Sequence, residues 1–226
     1  MPQPRKTRTR STDSFGARNF PGHKQRKLHH IRAQIAAEAA RIIATEGLFD
    51  FHAAKRKAAE RIGNSERMAL PSNLEVQDAL LSYQSLYGGQ EHADHLEKLR
   101  LAALSAMRML RDYSPRLVGP VLDGSAGEHC RVSLHLFCDA AETLVLDFLE
   151  RGLPFRQEQH RLRGNDRNYL YVPVFLIDVE GCVVELLLLP TLGLRQSLPS
   201  PIDGKPQRRA SQAELEQLLG LSSSAA

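Results

Sequence analysis

The chain has 226 residues, of which 42% are hydrophobic and 25% charged, a composition that supports one or two globular cores and excludes a wholly disordered chain. Three cysteines without a C-x-x-C pair argue against a disulfide framework and against a cysteine-built zinc site. Apolar runs stay far below the ~18 residues of a membrane span, and no apolar segment follows the basic N-terminus as in a secretory signal. We therefore expect a cytoplasmic protein with no membrane partner.

The net charge of +4 is unevenly distributed. Residues 1–30 contain eight Lys/Arg and one acid, so this head carries +7 and the rest of the chain −3. Because residues 1–27 offer almost nothing to bury, we expect a disordered basic arm there. An Arg-rich, acid-poor head is also a feature of organellar transit peptides. As an arm, it favours a nucleic-acid partner, with phosphate contacts from Arg5, Lys6, Arg8, Arg10, Lys24, Arg26 and Lys27.

Residues 28–113 are predicted to form a helical region. Apolar residues recur there with a 3.6-residue period, and Ser72 and Glu75 have the spacing of a capping box. These patterns predict four helices, over about 28–47, 51–62, 72–87 and 91–111. The second helix has a basic face formed by Lys55, Arg56 and Lys57, which would extend the polyanion-binding surface of the arm.

The second half of the chain combines short apolar segments with one helix. Segment 116–122 is predicted to be a strand that ends at a Gly124-Ser125 turn. In segment 131–138 the apolar residues alternate, so Ser133 and His135 share one face of a strand and Leu134 lies on the other. A helix capped by Asp139 follows over about 141–151, and then a hairpin of two strands over 169–177 and 182–189. A last helix begins with a capping box of Ser211 and Glu214.

The fold class expected from these elements is α+β, with a helical N-terminal half followed by a small mixed sheet. The predicted divisions are a basic arm over 1–27, a helical region over 28–113, an α/β core over 114–190, and a loop with a C-terminal helix over 191–226.

The order strand, Gly-Ser turn, strand, helix and hairpin resembles the core of the nucleotidyltransferase superfamily (the polymerase-beta-like fold). Segment 118–125 is similar to the strand and turn of that family, and segment 132–137 to its return strand. The resemblance implies that Gly124 and Ser125 hold a nucleotide phosphate. It also implies carboxylates at positions 133 and 135, which would bind two Mg²⁺ together with a third acid from a neighbouring strand.

This sequence departs from that pattern at both acid positions, which are Ser133 and His135. Glu185, the lone charge of an apolar strand, can stand for the third acid. Because Mg²⁺ prefers anionic oxygen ligands, we expect no standard two-metal catalysis. The expected function is binding of a nucleotide or nucleic acid, RNA rather than DNA, with no certain cofactor. An active enzyme with an atypical site of Glu185, His135 and Ser133 is an alternative, and Mg²⁺ would then be needed.

Two further features leave alternatives open. A buried Glu185 must either pair with an arginine (Arg161, Arg163 or Arg167) or face a wet cleft. Segment 35–63 also resembles the opening helices of tetracycline-repressor-type DNA-binding domains, which implies a transcriptional regulator. Such a domain needs a recognition helix next, whereas segment 64–72 of this sequence offers no helix of useful length. Segments 54–59 and 134–137 are, in addition, similar to a family of proteobacterial proteins, and this resemblance does not point to any particular activity.

Overall fold

A computed structural model describes residues 21–48, 50–63, 70–163 and 169–221. It confirms the α+β class, with helices in the N-terminal half and a five-stranded mixed sheet in the C-terminal part. The helices are α1 Pro21–Glu46, α2 Phe51–Arg61, α3 Asn73–Tyr87, α4 Gly89–Met109, α5 Pro120–Asp123, α6 Ala141–Glu150 and α7 Gln212–Leu218. The strands are β1 Arg116–Val118, β2 Val132–Phe137, β3 Arg156–Arg163, β4 Tyr169–Val179 and β5 Cys182–Leu189.

The sheet has the strand order β1-β2-β5-β4-β3. β2 and β5 are parallel, and the other neighbouring pairs are antiparallel. In this register Ser133 is the partner of Glu185 on one side and of Val118 on the other. Since directly paired residues point to the same side of a sheet, Ser133, His135 and Glu185 share one face.

The opposite face of the sheet is covered by α4 and α6. Its core contains the side chains of Leu134, Leu186 and Phe175 from the strands and Met107 and Phe148 from the helices, all fully buried. The alternation predicted for β2 is therefore confirmed, because Leu134 points into this core while its neighbours Ser133 and His135 point away from it.

The chain after β5 returns over the face that the helices leave uncovered. Leu198 of this returning segment packs against the hydrophobic cluster on this face, which contains Leu187 and Leu189 of β5. The Arg209 guanidinium lies 5.5 Å from the centre of the Phe137 ring. Backbone hydrogen bonds of 2.9 Å in both directions between Leu117 and Ala210 fix the end of the segment to β1. This cover is incomplete, and it leaves a cavity above β2 and β5.

Helices α1, α2 and α3 have a hydrophobic core of their own, centred on Ile35, Ile42, Ala58 and Leu80. α4, in contrast, packs on the sheet through residues such as Leu99 and Met107, and so does α7 through Leu215. The packing therefore changes between α3 and α4, and the C-terminal helix is part of the sheet's core.

Several local predictions are confirmed. α3 and α7 both begin with the predicted capping box, in which Ser72 is paired with Glu75 and Ser211 with Glu214. α1 ends before Gly47, whose φ of +66° is available to glycine at little cost. β4 and β5 form the predicted hairpin.

Other local predictions are wrong. Residues 21–27 are the first turns of α1, and residues 1–20 lie outside the described part of the chain. The strand predicted over 116–122 ends at Val118, and Pro120–Asp123 is a helical turn, because a short apolar run does not distinguish strand from helix. Asp139 does not cap α6; its carboxylate accepts hydrogen bonds from the amide and the hydroxyl of Thr191, at 2.9 and 2.7 Å.

Candidate functional site

A cavity of about 920 Å³ lies on the sheet face opposite α4 and α6. β2 and β5 form its floor, the end of β1 and the polar side of β3 form its sides, and residues 198–204 form its roof. Its volume is in the range of small-molecule sites. The polar residues that line it include Ser133, His135, His160, Arg161 and Glu185. The three residues predicted as catalytic therefore meet in one cavity.

Glu185 is at the centre of the polar contacts in this cavity. Its Oε2 accepts a hydrogen bond of 3.2 Å from the Ser133 hydroxyl, and its Oε1 lies 3.5 Å from His160 Nδ1. Its side chain is 17% exposed. Glu185 lies at the wall of a cleft. Arg161 lines the same cavity, whereas Arg167 and the side chain of Arg163 lie outside the described part of the chain.

His135 is the most buried polar residue of the cavity wall, at 2% exposed. Burial, and secondarily the positive charge of Arg209, lower the pKa of His135 to about 4, so the imidazole is neutral at pH 7. Its Nδ1 has no hydrogen-bond partner within the described residues. A buried polar atom without a partner costs about 1–3 kcal/mol, which a polar group of a ligand or a water molecule would offset.

The Gly124-Ser125 turn lies outside this cavity. The Gly124 carbonyl is 3.3 Å from His92 Nε2, and the Ser125 carbonyl accepts a 3.1 Å hydrogen bond from Gln84 Nε2, so the turn faces α3 and α4. Ser125 lines an adjoining cavity, together with Asp123 and Arg208, and this cavity shares Gly119 and Pro120 with the first. The cause is the early end of β1: because the strand stops at Val118, Gly119 and not Gly124 lies at the rim of the site.

Replacing Gly124 with alanine is expected to destabilise the fold by about 1–2 kcal/mol without changing the site. Gly124 has a φ of +86°, where a Cβ is strained, although the nearest atoms would be 3.9 Å away. Chemical denaturation measures the loss. A variant as stable as the wild type would show that this turn relaxes freely, and a variant with altered ligand affinity would contradict the separation of the turn from the cavity.

The predicted basic face of α2 is largely engaged in internal contacts. Lys55 Nζ donates to the Pro71 carbonyl and to Asn73 Oδ1 at 3.1 and 2.7 Å, and burial lowers its pKa. Lys57 pairs with Glu46 at 2.5 Å, whereas Arg56 is exposed. This face is thus a weaker polyanion surface than its composition indicates.

The predicted arm divides at residue 20. Arg26 and Lys27 are exposed on α1, and Lys24 belongs to the same helix. Arg5, Lys6, Arg8 and Arg10 lie outside the described residues. Residues 64–69 also lie outside the described residues. They form most of the segment in which a DNA-binding regulator would begin its recognition helix.

The donor set of the cavity does not fit a pair of magnesium ions. Near β2 and β5 it consists of one hydroxyl, one neutral imidazole and one carboxylate, from Ser133, His135 and Glu185. Within the described residues, no group of three or more His, Cys, Asp or Glu side chains could hold a metal ion. Mg²⁺ takes hard, mostly anionic oxygen ligands, so this set lacks the charge that two dications need.

Two contributors to the cavity were missed in the sequence. His160 lies on β3, which has almost no hydrophobic alternation because it is a polar edge strand. The roof, 198–204, is a Pro- and Ser-containing segment that has no periodicity to interpret. A weak sign of His160 was available: Glu158, His160 and Leu162 recur at a spacing of two, as on one side of a strand.

No described helix is both long enough and apolar enough to cross a membrane. A scan against protein-family models and a search of curated proteins each found no match to this chain. Its function is therefore inferred from the geometry of the cavity.

Proposed function

We propose that this protein is a cytoplasmic nucleotidyltransferase-like binding protein, which takes a nucleotide or the end of an RNA chain into the cavity and lacks two-metal phosphoryl transfer. The observation that carries the proposal is the meeting of Ser133, His135 and Glu185 in one cavity. These are the positions at which the resemblance implies the acids of a catalytic centre.

The strand pairing supports the proposal. β1 and β2 are antiparallel and β2 and β5 parallel, and the resemblance requires the third acid to come from a neighbouring strand. The direct pairing of Glu185 with Ser133 meets this requirement. The cavity is also large enough for a nucleoside.

The charge distribution also supports a nucleic-acid ligand. Arg26, Lys27 and Arg56 are exposed, and the preceding residues 1–20 are rich in Lys and Arg. Such groups bind phosphates without regard to sequence, with an affinity that falls as salt rises. In this proposal, basic residues hold the RNA backbone and the cavity binds its end or a free nucleotide.

Binding of a fluorescent RNA oligonucleotide and of nucleotides to the full chain tests the proposal, with Ser133→Leu as the blocking variant. Leucine there places a bulky apolar side chain on the cavity floor and removes the hydroxyl that contacts Glu185. We expect affinity to fall about tenfold or more. Ser105→Leu is a matched control, because Ser105 also donates to a glutamate, Glu180, at 2.6 Å, but on α4 outside the cavity.

Two results would contradict the proposal. If neither RNA nor any nucleotide binds the folded wild-type protein, the cavity has another ligand. If labelled nucleoside triphosphate is incorporated into RNA in the presence of Mg²⁺, and this activity is lost in Glu185→Ala, the protein is an active enzyme with an atypical site. We expect no incorporation.

A further inference from the structure

The charged groups of the cavity are poorly suited to a triphosphate. Among the described residues that line it, the side chains other than histidine that carry a charge are Arg161, Glu185 and Asp203, and of the two histidines, His135 and His160, the first is neutral at pH 7. Two carboxylates against one guanidinium would repel a chain of phosphates unless metal ions neutralised them. As shown above, the donor set does not fit a pair of such ions.

Hydrogen-bond acceptors, in contrast, are concentrated at one point. The Ser133 hydroxyl donates a hydrogen bond to Glu185, so the lone pairs of the hydroxyl oxygen remain as acceptors. A carboxylate has about four acceptor sites. Ser133 and His160 Nδ1 approach Glu185 in the structure. Acceptor sites of Glu185 therefore remain for a ligand, beside Ser133 on the neighbouring strand.

We infer that this pair of acceptors recognises the 2′,3′-cis-diol of a ribose, an inference that rests on the proposed function. A ribose cis-diol presents two neighbouring O–H donors on one side of a ring, which match two neighbouring acceptors on paired strands. His135, two residues along β2, lines the same cavity, and its buried Nδ1 has no hydrogen-bond partner among the described residues. A ribose that lacks either hydroxyl leaves an acceptor unpaired, and that penalty is the source of the discrimination.

The apolar part of the cavity is placed to accept the base. Leu187 on the floor and Leu198 and Ile202 in the roof line it beside the polar cluster. Apolar contacts of this kind bind the flat face of any base and do not select one base over another. The expected ligand class is thus a ribonucleoside end, which is either a free ribonucleoside or nucleotide or the unmodified 3′ end of RNA.

Calorimetric titration of the full chain with adenosine, 2′-deoxyadenosine and 3′-deoxyadenosine tests the inference. Both deoxy compounds are expected to bind about tenfold or more weakly than adenosine, since each loses a hydrogen bond to a site with a charged acceptor. Glu185→Gln is expected to lose most of this preference. Glu180→Gln, which changes a glutamate that contacts Ser105 outside the cavity, is the matched control and should retain it.

A comparison of two RNA oligonucleotides shows whether the diol belongs to a free nucleoside or to the 3′ end of RNA. An oligonucleotide with a free 3′ end and the same oligonucleotide with a 3′-phosphate are compared by fluorescence polarisation. If the source is RNA, the free end binds about tenfold or more tightly. If the source is a free nucleoside, adenosine shows the preference and the two oligonucleotides bind alike. Either result supports recognition of the diol.

Failure of this inference differs from failure of the proposed function. Equal binding of adenosine and both deoxy compounds, together with equal binding of the two oligonucleotides, would overturn diol recognition but leave nucleotide or RNA binding in place. ATP binding more than about tenfold tighter than adenosine would overturn it as well, because phosphate contacts would then dominate. Absence of binding by every nucleoside, nucleotide and RNA would overturn both. Should Glu185→Gln fail to fold, Ser133→Ala carries the same expectation, since it removes the other acceptor.

Discussion

Lowering the pH from 7 to 4 is expected to reduce the free energy of unfolding by about 3 kcal/mol through His135 alone. In the unfolded chain this imidazole has its ordinary pKa of 6.5, and burial in the cavity wall lowers the pKa to about 4. Between these values the unfolded state binds a proton that the folded state excludes, so protonation favours unfolding. The effect of His135 on the free energy of unfolding is close to zero above pH 6.5, and it is fully destabilising once the pH falls to about 4 and below.

Chemical denaturation of the wild type and of His135→Asn at pH 7, 5 and 4 measures this effect. The wild type should lose about 3 kcal/mol more than the variant over this range. Carboxylates such as Glu38, whose pKa the hydrogen bond from Arg41 lowers to about 2, lose stabilisation on acidification in both proteins and cancel in the difference. Parallel pH dependences would show that His135 is not held neutral by burial.

Replacing Phe148 with alanine is expected to lower the free energy of unfolding by about 3–5 kcal/mol. The ring is fully buried between α6 and the sheet, and its centre lies 6.0 Å from the Phe175 ring and 5.4 Å from the Phe155 ring. Alanine leaves a cavity that these rigid neighbours cannot fill. The measurement is the denaturant midpoint at pH 7.

The exposed Leu149 on the same helix provides the control for this prediction. Leu149 is 63% exposed, so Leu149→Ala should change stability by only about 0.5 kcal/mol. Equal losses in the two variants would contradict the assignment of Phe148 to the core. Because Phe148 and the cavity lie on opposite faces of the sheet, the folded Phe148→Ala protein should retain the wild-type preference for a ribose diol.

Local elements of the fold were predictable because their causes are local. The capping box of Ser72 with Glu75 joins residues three positions apart, and it marks the start of α3 without reference to the rest of the chain. The alternation in β2 likewise placed Ser133 and His135 on the side away from Leu134. β3 was not predictable in this way, since an edge strand with polar residues on both sides carries little hydrophobic pattern.

The candidate site was predictable only in part. Its residue types on β2 and β5 were identified from the resemblance and from the lone charge in an apolar strand. The phosphate-binding role assigned to Gly124 and Ser125 assumed a strand as far as residue 122, and the structure ends that strand at Val118 and turns the Gly-Ser segment toward α3 and α4. A single residue with positive φ, Gly119, redirects the chain there, and such a change leaves no periodic trace in the sequence.

The sequence by itself determined that this chain has helices followed by a mixed sheet, and that it lacks carboxylates at positions 133 and 135. These conclusions follow from residue types and from periodicities over a few residues. Only the tertiary structure decided that Ser133 contacts Glu185, 52 positions away, that His160 joins them, and that the returning chain covers the cavity. The physical reason is that alternation specifies which side of its own strand a residue occupies, whereas the neighbouring strand is selected by burial summed over the whole sheet.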